Sequence, residues 1–288
     1  MSVFFTDSDC EIWYTDVDKY GINVIGMPYT LDGEEKFYDM GRNTDLKHMF
    51  NRMREDSVPA TSALNPQNYI DYFEPVFKKG EDILYVHFSD KLSGTFNHLQ
   101  TALLELKEKY PERQVRLFNT KSICFGAGVQ VLEAAKMHKA GVSDEEIISH
   151  LEEFSPHVVM EFVVESLAHL KRGGRISAAS AAMGGLLNIK PVIKITNEGK
   201  LEKFQTARGM KKALSVIVDR CVANIIKEQD CPIYILDADN VSGSNFVETS
   251  LREKLGQDVV IERYTIGPVI GAHCGPGTIG LVYYGNQR

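Results

Sequence analysis

Residues 83–110 read ILYVHFSDKLSGTFNHLQTALLELKEKY. The run Ile83–Phe88 is continuously apolar, which is typical of a strand buried on both faces, and it leads into the polar segment Ser89–Thr95. The apolar residues that follow at the spacing of one helix face are Leu99, Ala102, Leu103, Leu106 and Tyr110. The stretch therefore predicts a strand, a hydroxyl-bearing loop and a helix, which is the repeating unit of a parallel α/β sheet.

The same design recurs on both sides of this unit. Upstream, Asn65 followed by Pro66 predicts the start of a helix, and the hydroxyls of Thr61 and Ser62 come just before it. Downstream, the strand pattern of residues 114–118 leads into an alanine-rich helix. At the N-terminus, the apolar run of residues 3–5 opens into the polar segment Thr6–Asp9, at a strand end where open α/β sheets bind ligands.

The second half of the chain has a different pattern. Two strand-like runs, residues 192–196 and 200–206, flank Asn197-Glu198-Gly199, which predicts a hairpin and hence antiparallel pairing. The small residues of segment 178–187 favour close helix packing. Ser155-Pro156-His157 marks the boundary, so we predict an α/β protein of two lobes. Residues 1–156 form an N-terminal lobe with a mainly parallel sheet and flanking helices, and residues 157–288 form a C-terminal α/β lobe with a mixed sheet.

Residues 267–280, GPVIGAHCGPGTIG, are rich in glycine and proline, with His273 at their centre. The glycines allow close approach of the backbone and the prolines stiffen turns, so we interpret this segment as a loop that presents His273. The alternative is a run of turns with a structural, hydrogen-bonded histidine. The apolar residues after it predict a strand that anchors the segment to a sheet.

Three segments supply hydrogen-bond donors of the same kind. The residues are Thr61, Ser62, Ser93, Thr95 and His273. Uncharged donors of this type suit a carboxylate or phosphate, although Ser93 and Thr95 are also ordinary helix-capping residues. An acyl hydrolase or transferase that uses Ser93 or Cys274 with His273 is an alternative from another class. No Gly-x-Ser-x-Gly motif supports it, and neighbouring residues of an extended chain point in opposite directions.

Composition excludes several classes of function. The net charge is −7, which disfavours general binding to nucleic acid or anionic lipid. The five cysteines form no Cys-x-x-Cys pair and the eight histidines show no ligand spacing, so we expect neither a disulfide framework nor a metal site. In the first half of the chain no nucleotide-binding glycine motif follows a predicted strand, which counts against a nucleotide site in that lobe. The acidic N-terminus and the lack of a long apolar run predict a cytoplasmic protein.

Positive charge is concentrated at two places in this acidic chain. The residues are Lys171, Arg172, Arg175, Arg208, Lys211 and Lys212. Such residues most often form a solvated surface. They also suit a docking face for an acidic partner or a phosphate.

Five motifs occur together in the order found in the DegV family, which the chain resembles over about residues 3–285. In chain order they are Ala60-Thr61-Ser62 with Pro66, Lys91-Leu92-Ser93-Gly94-Thr95, Leu170-Lys171-Arg172-Gly173-Gly174-Arg175-Ile176, Arg208-Gly209 with Lys211-Lys212-Ala213, and Gly271-Ala272-His273-Cys274-Gly275-Pro276-Gly277. Members of this family are two-lobed α/β proteins that hold a long-chain fatty acid. Some are the acyl-binding subunit of bacterial fatty acid kinase, and they carry the acyl phosphate toward phospholipid synthesis.

The resemblance implies a non-catalytic lipid-binding protein without metal or cofactor. Thr61 and Ser93 would bind the carboxylate, with Ser62, Gly94, Thr95 and His273 beside it. Arg172, Arg175, Arg208, Lys211 and Lys212 would dock the kinase. The implied partners are a long-chain fatty acid, the kinase catalytic subunit and an acyltransferase. Neither a nucleic acid partner nor a membrane span is expected. The implied location is the cytoplasm, with transient contact at the inner membrane face. The cysteine between His273 and Gly275 is a mild departure from the family pattern.

Overall fold

A computed structural model describes residues 2–176, 188–226 and 231–288. The strands are β1 (Val3–Asp7), β2 (Asn23–Ile25), β3 (Pro28–Leu31), β4 (Glu34–Phe37), β5 (Ala60–Thr61), β6 (Ile83–His87), β7 (Val115–Asn119), β8 (Val158–Val163), β9 (Ile189–Ile195), β10 (Leu201–Arg208), β11 (Ile233–Asp237), β12 (Ile261–Thr265) and β13 (Ile279–Tyr284). The helices are α1 (Tyr14–Tyr20), α2 (Leu46–Arg54), α3 (Pro66–Phe77), α4 (Thr95–Lys109), α5 (Cys124–Lys139), α6 (Asp144–Phe154), α7 (Ala168–Arg172), α8 (Met210–Asn224), α9 (Val241–Leu255) and α10 (Pro268–Cys274). The segment 178–187, for which close helix packing was predicted, lies outside the described residues.

A parallel sheet of four strands occupies the first half of the chain, in the order β2-β1-β6-β7. All three strand pairs in it are parallel. Strand β6 is buried along its whole length, as expected of a central strand covered on both faces. Helices α3 and α4 pack against each other, and α5 packs on β1 and β6. The prediction of parallel strand and helix units is confirmed.

A mixed sheet of six strands occupies the second half, in the order β10-β9-β8-β13-β11-β12. Strands β11 and β12 are parallel, and the other pairs are antiparallel. The predicted hairpin is present as β9 and β10, and its turn contains Gly199 with a φ of +82°. Helices α8 and α9 pack against each other, and α8 covers the β8 to β10 side of the sheet. The predicted mixed α/β architecture is therefore confirmed.

A small antiparallel sheet, β4-β3-β5, was not predicted. Strand β4 is exposed at every residue and β5 has only two, so neither has the apolar pattern of a strand. The sequence did contain one signal, because Asp32-Gly33 is a favoured hairpin turn and both residues have positive φ. This sheet matters for function because β5 carries Thr61, which pairs with Tyr29 of β3.

The segment 267–280 is not the loop that was expected. Residues Pro268–Cys274 form helix α10, with Pro268 in its first turn, and Gly275 ends the helix with a φ of +82°. Proline at a helix start and glycine just after its end are ordinary helix boundaries, so the same residues that suggested turns define a short helix. A β-carbon on Gly271 would lie 2.9 Å from Phe50, so the glycine allows α10 to pack closely on α2.

Helix α10 packs against elements from both halves of the chain. It contacts α7 and also α2, β3 and β5. Residues Ser155–His157 form a short 3-10 turn between the parallel sheet and the mixed sheet, where the lobe boundary was predicted. The division into two lobes at residue 156 remains a prediction, because helix α10 contacts elements on both sides of that residue.

Candidate functional site

A cavity lies between the parallel sheet and the mixed sheet. The space between its wall atoms, open mouth included, is about 950 Å³. The apolar wall residues from the first half of the chain are Met27, Ala63, Phe88, Leu92 and Ile123, and those from the second half are Met160, Phe162, Leu170, Leu201, Leu236, Ile266, Val269 and Ile270. The polar wall residues include Asp9, Thr61, Ser62, Ser93, Arg175 and His273. The cavity is thus largely apolar with a set of hydrogen-bonding groups.

Thr61 and His273 join the two halves of the chain at this cavity. Thr61 Oγ1 lies 2.8 Å from His273 Nε2, although the residues are 212 positions apart. Burial lowers the pKa of His273 to about 4, and the positive charge of Arg175 contributes to the same shift. The imidazole is therefore neutral at pH 7. Its Nδ1 is buried and has no hydrogen-bond partner in the described part of the chain.

The position of the His273 ring depends on Gly173. A β-carbon at residue 173 would lie 2.2 Å from His273 Nδ1, much closer than atoms approach. On the same interface, a β-carbon at Gly275 would lie 2.4 Å from the His169 ring. Gly173 follows α7, and Gly275 follows α10. Because neither residue has a β-carbon, the two helices approach closely, with His273 packed on Gly173 and His169 packed on Gly275.

Arg175 was expected at a docking face, and the structure corrects this. Its side chain is half-buried and lines the cavity, where its Nε donates to the carbonyl of Leu92 at 2.9 Å. A second guanidinium N–H donates to the Gly173 carbonyl. Burial lowers the pKa of Arg175, but a guanidinium stays charged in proteins. The cavity therefore contains a cation, whereas the sequence suggested uncharged donors alone.

The residues around the start of α4 separate into two groups. Ser93 and Gly94 line the cavity, and Ser93 Oγ also accepts from the Thr95 backbone N–H at 3.3 Å. Thr95, which was expected to bind ligand, is fully buried outside the wall, and its hydroxyl lies 2.8 Å from the Tyr69 hydroxyl. This is a correction: the side chain points into the helix interface, where it satisfies a buried phenol. Ser62 lines the cavity from an exposed position.

Sequence reasoning missed one buried connection beside the cavity. Glu11 accepts a hydrogen bond from the backbone N–H of Gly267, directly before α10, at 2.7 Å, and one from Cys124 Sγ at 2.6 Å. Burial raises the pKa of Glu11 to about 8. The acidic segment after β1 was noted as a candidate rim, but nothing local indicates that residue 11 reaches residue 267. Glu11 thereby links the strand β1 end to the helix that carries His273.

The hydrolase alternative pairs Ser93 or Cys274 with His273, and neither of these pairs is hydrogen-bonded in the described residues. His273 Nε2 contacts Thr61, and the Ser93 hydroxyl accepts from a backbone N–H. Cys274 is 4% exposed, and burial raises the pKa of its thiol to about 12. A thiol with so high a pKa is almost entirely protonated at neutral pH, so it is a poor nucleophile.

The other basic residues lie outside the cavity wall. Arg172, Arg208, Lys211 and Lys212 are exposed. One N–H of Arg172 lies 2.9 Å from His169 Nδ1, and the Lys211 ammonium lies 5.3 Å from the centre of the Phe246 ring. Across residues 2–176, 188–226 and 231–288 there is no His, Cys, Asp and Glu cluster that fits a metal ion. No helix in these ranges is both long and apolar enough to cross a bilayer.

Fold and site together define an α/β protein with a largely apolar cavity between two sheets, whose polar wall residues include a threonine hydroxyl, an imidazole and a guanidinium. The chain belongs to the DegV family, since the family's sequence model, described as "Uncharacterised protein, DegV family", matches residues 3–286.

Relatives match over nearly the full chain. A DegV domain-containing protein of Clostridium perfringens is 37% identical over 287 residues, covering 99% of this chain and 98% of the relative. A DegV family protein from Thermus thermophilus, solved in a study of fatty acid binding, is 29% identical with a TM-score of 0.81, covering 98% of this chain and 99% of the other. DegV from Bacillus subtilis, described as a fatty acid binding protein, is 26% identical with a TM-score of 0.81, covering 99% of each chain.

We predict that His273 remains neutral from pH 8 to pH 5 and begins to protonate only near pH 4, because burial opposes its charge. Titration of the histidine rings by NMR measures this directly. Arg175→Gln removes the nearby positive charge and raises the pKa of His273, whereas Arg172→Gln, outside the wall, leaves it unchanged. A His273 pKa near the ordinary value in the unchanged protein would contradict this description of the site.

Proposed function

We propose that the protein binds a long-chain fatty acid in the cavity between its two sheets. The observation that carries this proposal is the combination, in one cavity, of a largely apolar wall with hydroxyl and imidazole groups and a guanidinium. A fatty acid has the same division, with a hydrocarbon chain and a single anionic headgroup. Fatty acid binding by family members of similar fold from Thermus thermophilus and Bacillus subtilis supports the proposal.

The hydrocarbon supplies most of the affinity in this proposal. Each methylene removed from water contributes about 0.8 kcal/mol, so a chain of ~16 carbons gives more than about ten kcal/mol before the cost of ordering. That gain exceeds the cost of burying one carboxylate, provided that the carboxylate is hydrogen-bonded. The apolar wall therefore determines how tightly the ligand is bound, and the polar end determines its orientation.

The headgroup in this proposal lies between Thr61, Ser93 and His273. In this scheme the single N–H of the neutral imidazole donates from Nε2 to Thr61 Oγ1, so that the hydroxyls of Thr61 and Ser93 donate to the carboxylate, and Arg175 supplies the opposite charge. Ser62 and the backbone of Gly94 complete the headgroup site. Because hydrogen bonds to charged groups are the strong ones, this end fixes the direction of the chain in the cavity.

We further propose that the bound acid is presented to a separate kinase subunit, which holds ATP and its magnesium. The exposed position of Ser62 at the wall supports a headgroup that lies near the mouth. The exposed cations Arg172, Arg208, Lys211 and Lys212 support a docking face for an acidic partner. In this scheme the protein acts in the cytoplasm, touches the inner membrane face transiently and carries the acyl phosphate to an acyltransferase of phospholipid synthesis.

Replacing Thr61 by valine tests the headgroup site. Valine keeps the shape of the threonine side chain but removes its hydroxyl. Because a hydrogen bond to a charged group contributes about 1.5–3 kcal/mol, the affinity for hexadecanoic acid is expected to fall about tenfold or more. Titration calorimetry or displacement of a fluorescent fatty acid measures the change. Thr101→Val is the matched control, because Thr101 is exposed on α4 and bonds only its own helix. Equal affinity of the two variants would contradict the assignment of Thr61.

Reversing the charges of Arg208, Lys211 and Lys212 to glutamate tests the docking face. These residues lie outside the cavity wall, so the affinity for fatty acid stays unchanged. The rate at which a bacterial fatty acid kinase catalytic subunit phosphorylates the bound acid falls about tenfold or more, because the new negative charges repel an acidic partner. The control reverses three other exposed lysines, Lys47, Lys79 and Lys107. Equal rates for both triple variants would exclude this surface as the kinase contact.

A further inference from the structure

Asp9 is a cavity wall residue for which the proposed function has no role. Its side chain is 6% exposed and lines the cavity. Its Oδ1 is buried without a hydrogen-bond partner among the described residues. A buried carboxyl oxygen that is left unpaired is costly, so such a group usually has a partner in some state of the protein.

The two neighbouring acids are paired, in contrast to Asp9. Asp7 accepts from the Tyr85 hydroxyl at 3.1 Å, from the Phe88 N–H at 3.1 Å and from the N–H of Asp9 itself. Glu11 accepts from Gly267 and Cys124. The turn after β1 thus fixes the backbone of Asp9 through Asp7, while the Asp9 side chain is directed to the cavity wall.

Asp9 shares its cavity with the residues of the proposed headgroup site. Asp9, Ser93, Arg175 and His273 all line this one cavity. The positive charge of Arg175 lowers the pKa of both Asp9 and His273, which agrees with this shared position. A ligand headgroup held by Ser93 and Arg175 therefore lies in the same cavity as the Asp9 carboxyl.

The surroundings of Asp9 favour its neutral form. Burial raises its pKa well above the ordinary value, the nearby Asp7 and Glu11 raise it further, and only Arg175 acts in the opposite direction. A second carboxylate that enters the site adds another negative charge, which opposes ionisation of Asp9 even more strongly. A protonated carboxyl is a hydrogen-bond donor, whereas an ionised one only accepts and repels an anion.

We propose that Asp9 contacts the ligand as a neutral carboxylic acid whose O–H donates a hydrogen bond to the carboxylate of the bound fatty acid, so that binding takes up a proton at any pH where Asp9 is ionised in the free protein. This inference rests on the proposed function. No covalent bond of the ligand changes. The proton comes from the solvent and remains on Asp9 while the anion is bound, and Arg175 balances the charge of the ligand.

The pH dependence of binding follows from this proton. Where Asp9 is ionised in the free protein, affinity for hexadecanoate falls with rising pH, by up to about tenfold per pH unit for one proton taken up. The other titratable groups near Asp9 are Asp7, Cys10, Glu11, Tyr69, Arg175 and His273. Arg175 stays charged and His273 stays neutral above pH 6. Burial raises the pKa of Asp7 to about 7 and that of Glu11 to about 8, so these two groups also titrate in this range. A variant is therefore needed to distinguish the titration of Asp9 from theirs.

Asp9→Asn provides that separation. Asparagine has the same shape and keeps an N–H donor at every pH, so the variant is expected to bind hexadecanoic acid with an affinity that varies less with pH between 6 and 9 than that of the unchanged protein. Asp144→Asn is the matched control, because Asp144 is another buried aspartate, 8% exposed, that lies outside the cavity wall. The control is expected to keep the full pH dependence.

Calorimetry of the unchanged protein in two buffers of different ionisation enthalpy counts the protons taken up, even if the Asp9 variant fails to fold. Proton uptake on binding of hexadecanoate, absent in Asp9→Asn and present in Asp144→Asn, supports the proposal. Binding without proton uptake at a pH where Asp9 is ionised in the free protein, or the same pH profile in Asp9→Asn as in the unchanged protein, overturns it and leaves the proposed function intact. An unchanged protein that binds no fatty acid at any pH overturns both.

Discussion

The contact between Thr61 and His273 is the constraint on which the arrangement of the site depends. It joins a two-residue strand of the small sheet to the last turn of α10, at 2.8 Å. The contact forms only if α10 approaches α2 and α7 closely, which Gly271 and Gly173 permit because they have no β-carbon. Glu11 fixes the other end of α10 through the backbone of Gly267. Short-range packing at a few glycines therefore determines where the donors of the cavity lie.

The cavity combines two environments that act on each other. The apolar wall excludes water, and the same exclusion keeps His273 neutral, raises the pKa of Asp9 and strengthens each hydrogen bond made there. The Arg175 guanidinium donates to the backbone carbonyls of Leu92 and Gly173, and within the part of the chain that the structure describes it forms no salt bridge with a carboxylate, so its charge remains available. The site is thus suited to an anionic headgroup with a hydrocarbon chain.

Much of the fold was predictable because strong periodic patterns determined it. The parallel units around β6, the hairpin of β9 and β10 and the helix start at Asn65 followed from local residues. Strand β4 was missed because all its residues are exposed. Helix α10 was interpreted as a loop because a helix of seven residues between Gly267 and Gly275 has no clear periodicity. These elements are stabilised by tertiary packing, which a local pattern does not show.

The candidate site likewise contains residues that local motifs identify and residues whose position depends on tertiary packing. Thr61, Ser93 and His273 were named from sequence motifs and line one cavity. Arg175 was assigned to a docking face because its contact with Leu92, 83 positions away, does not show in the local motif. Thr95 was expected to face the ligand because its contact with Tyr69, 26 positions away, does not show there either. The most direct test is mass spectrometry of lipid extracted from the purified protein: we predict one long-chain fatty acid per chain, and an empty protein that also binds no added fatty acid would contradict the account.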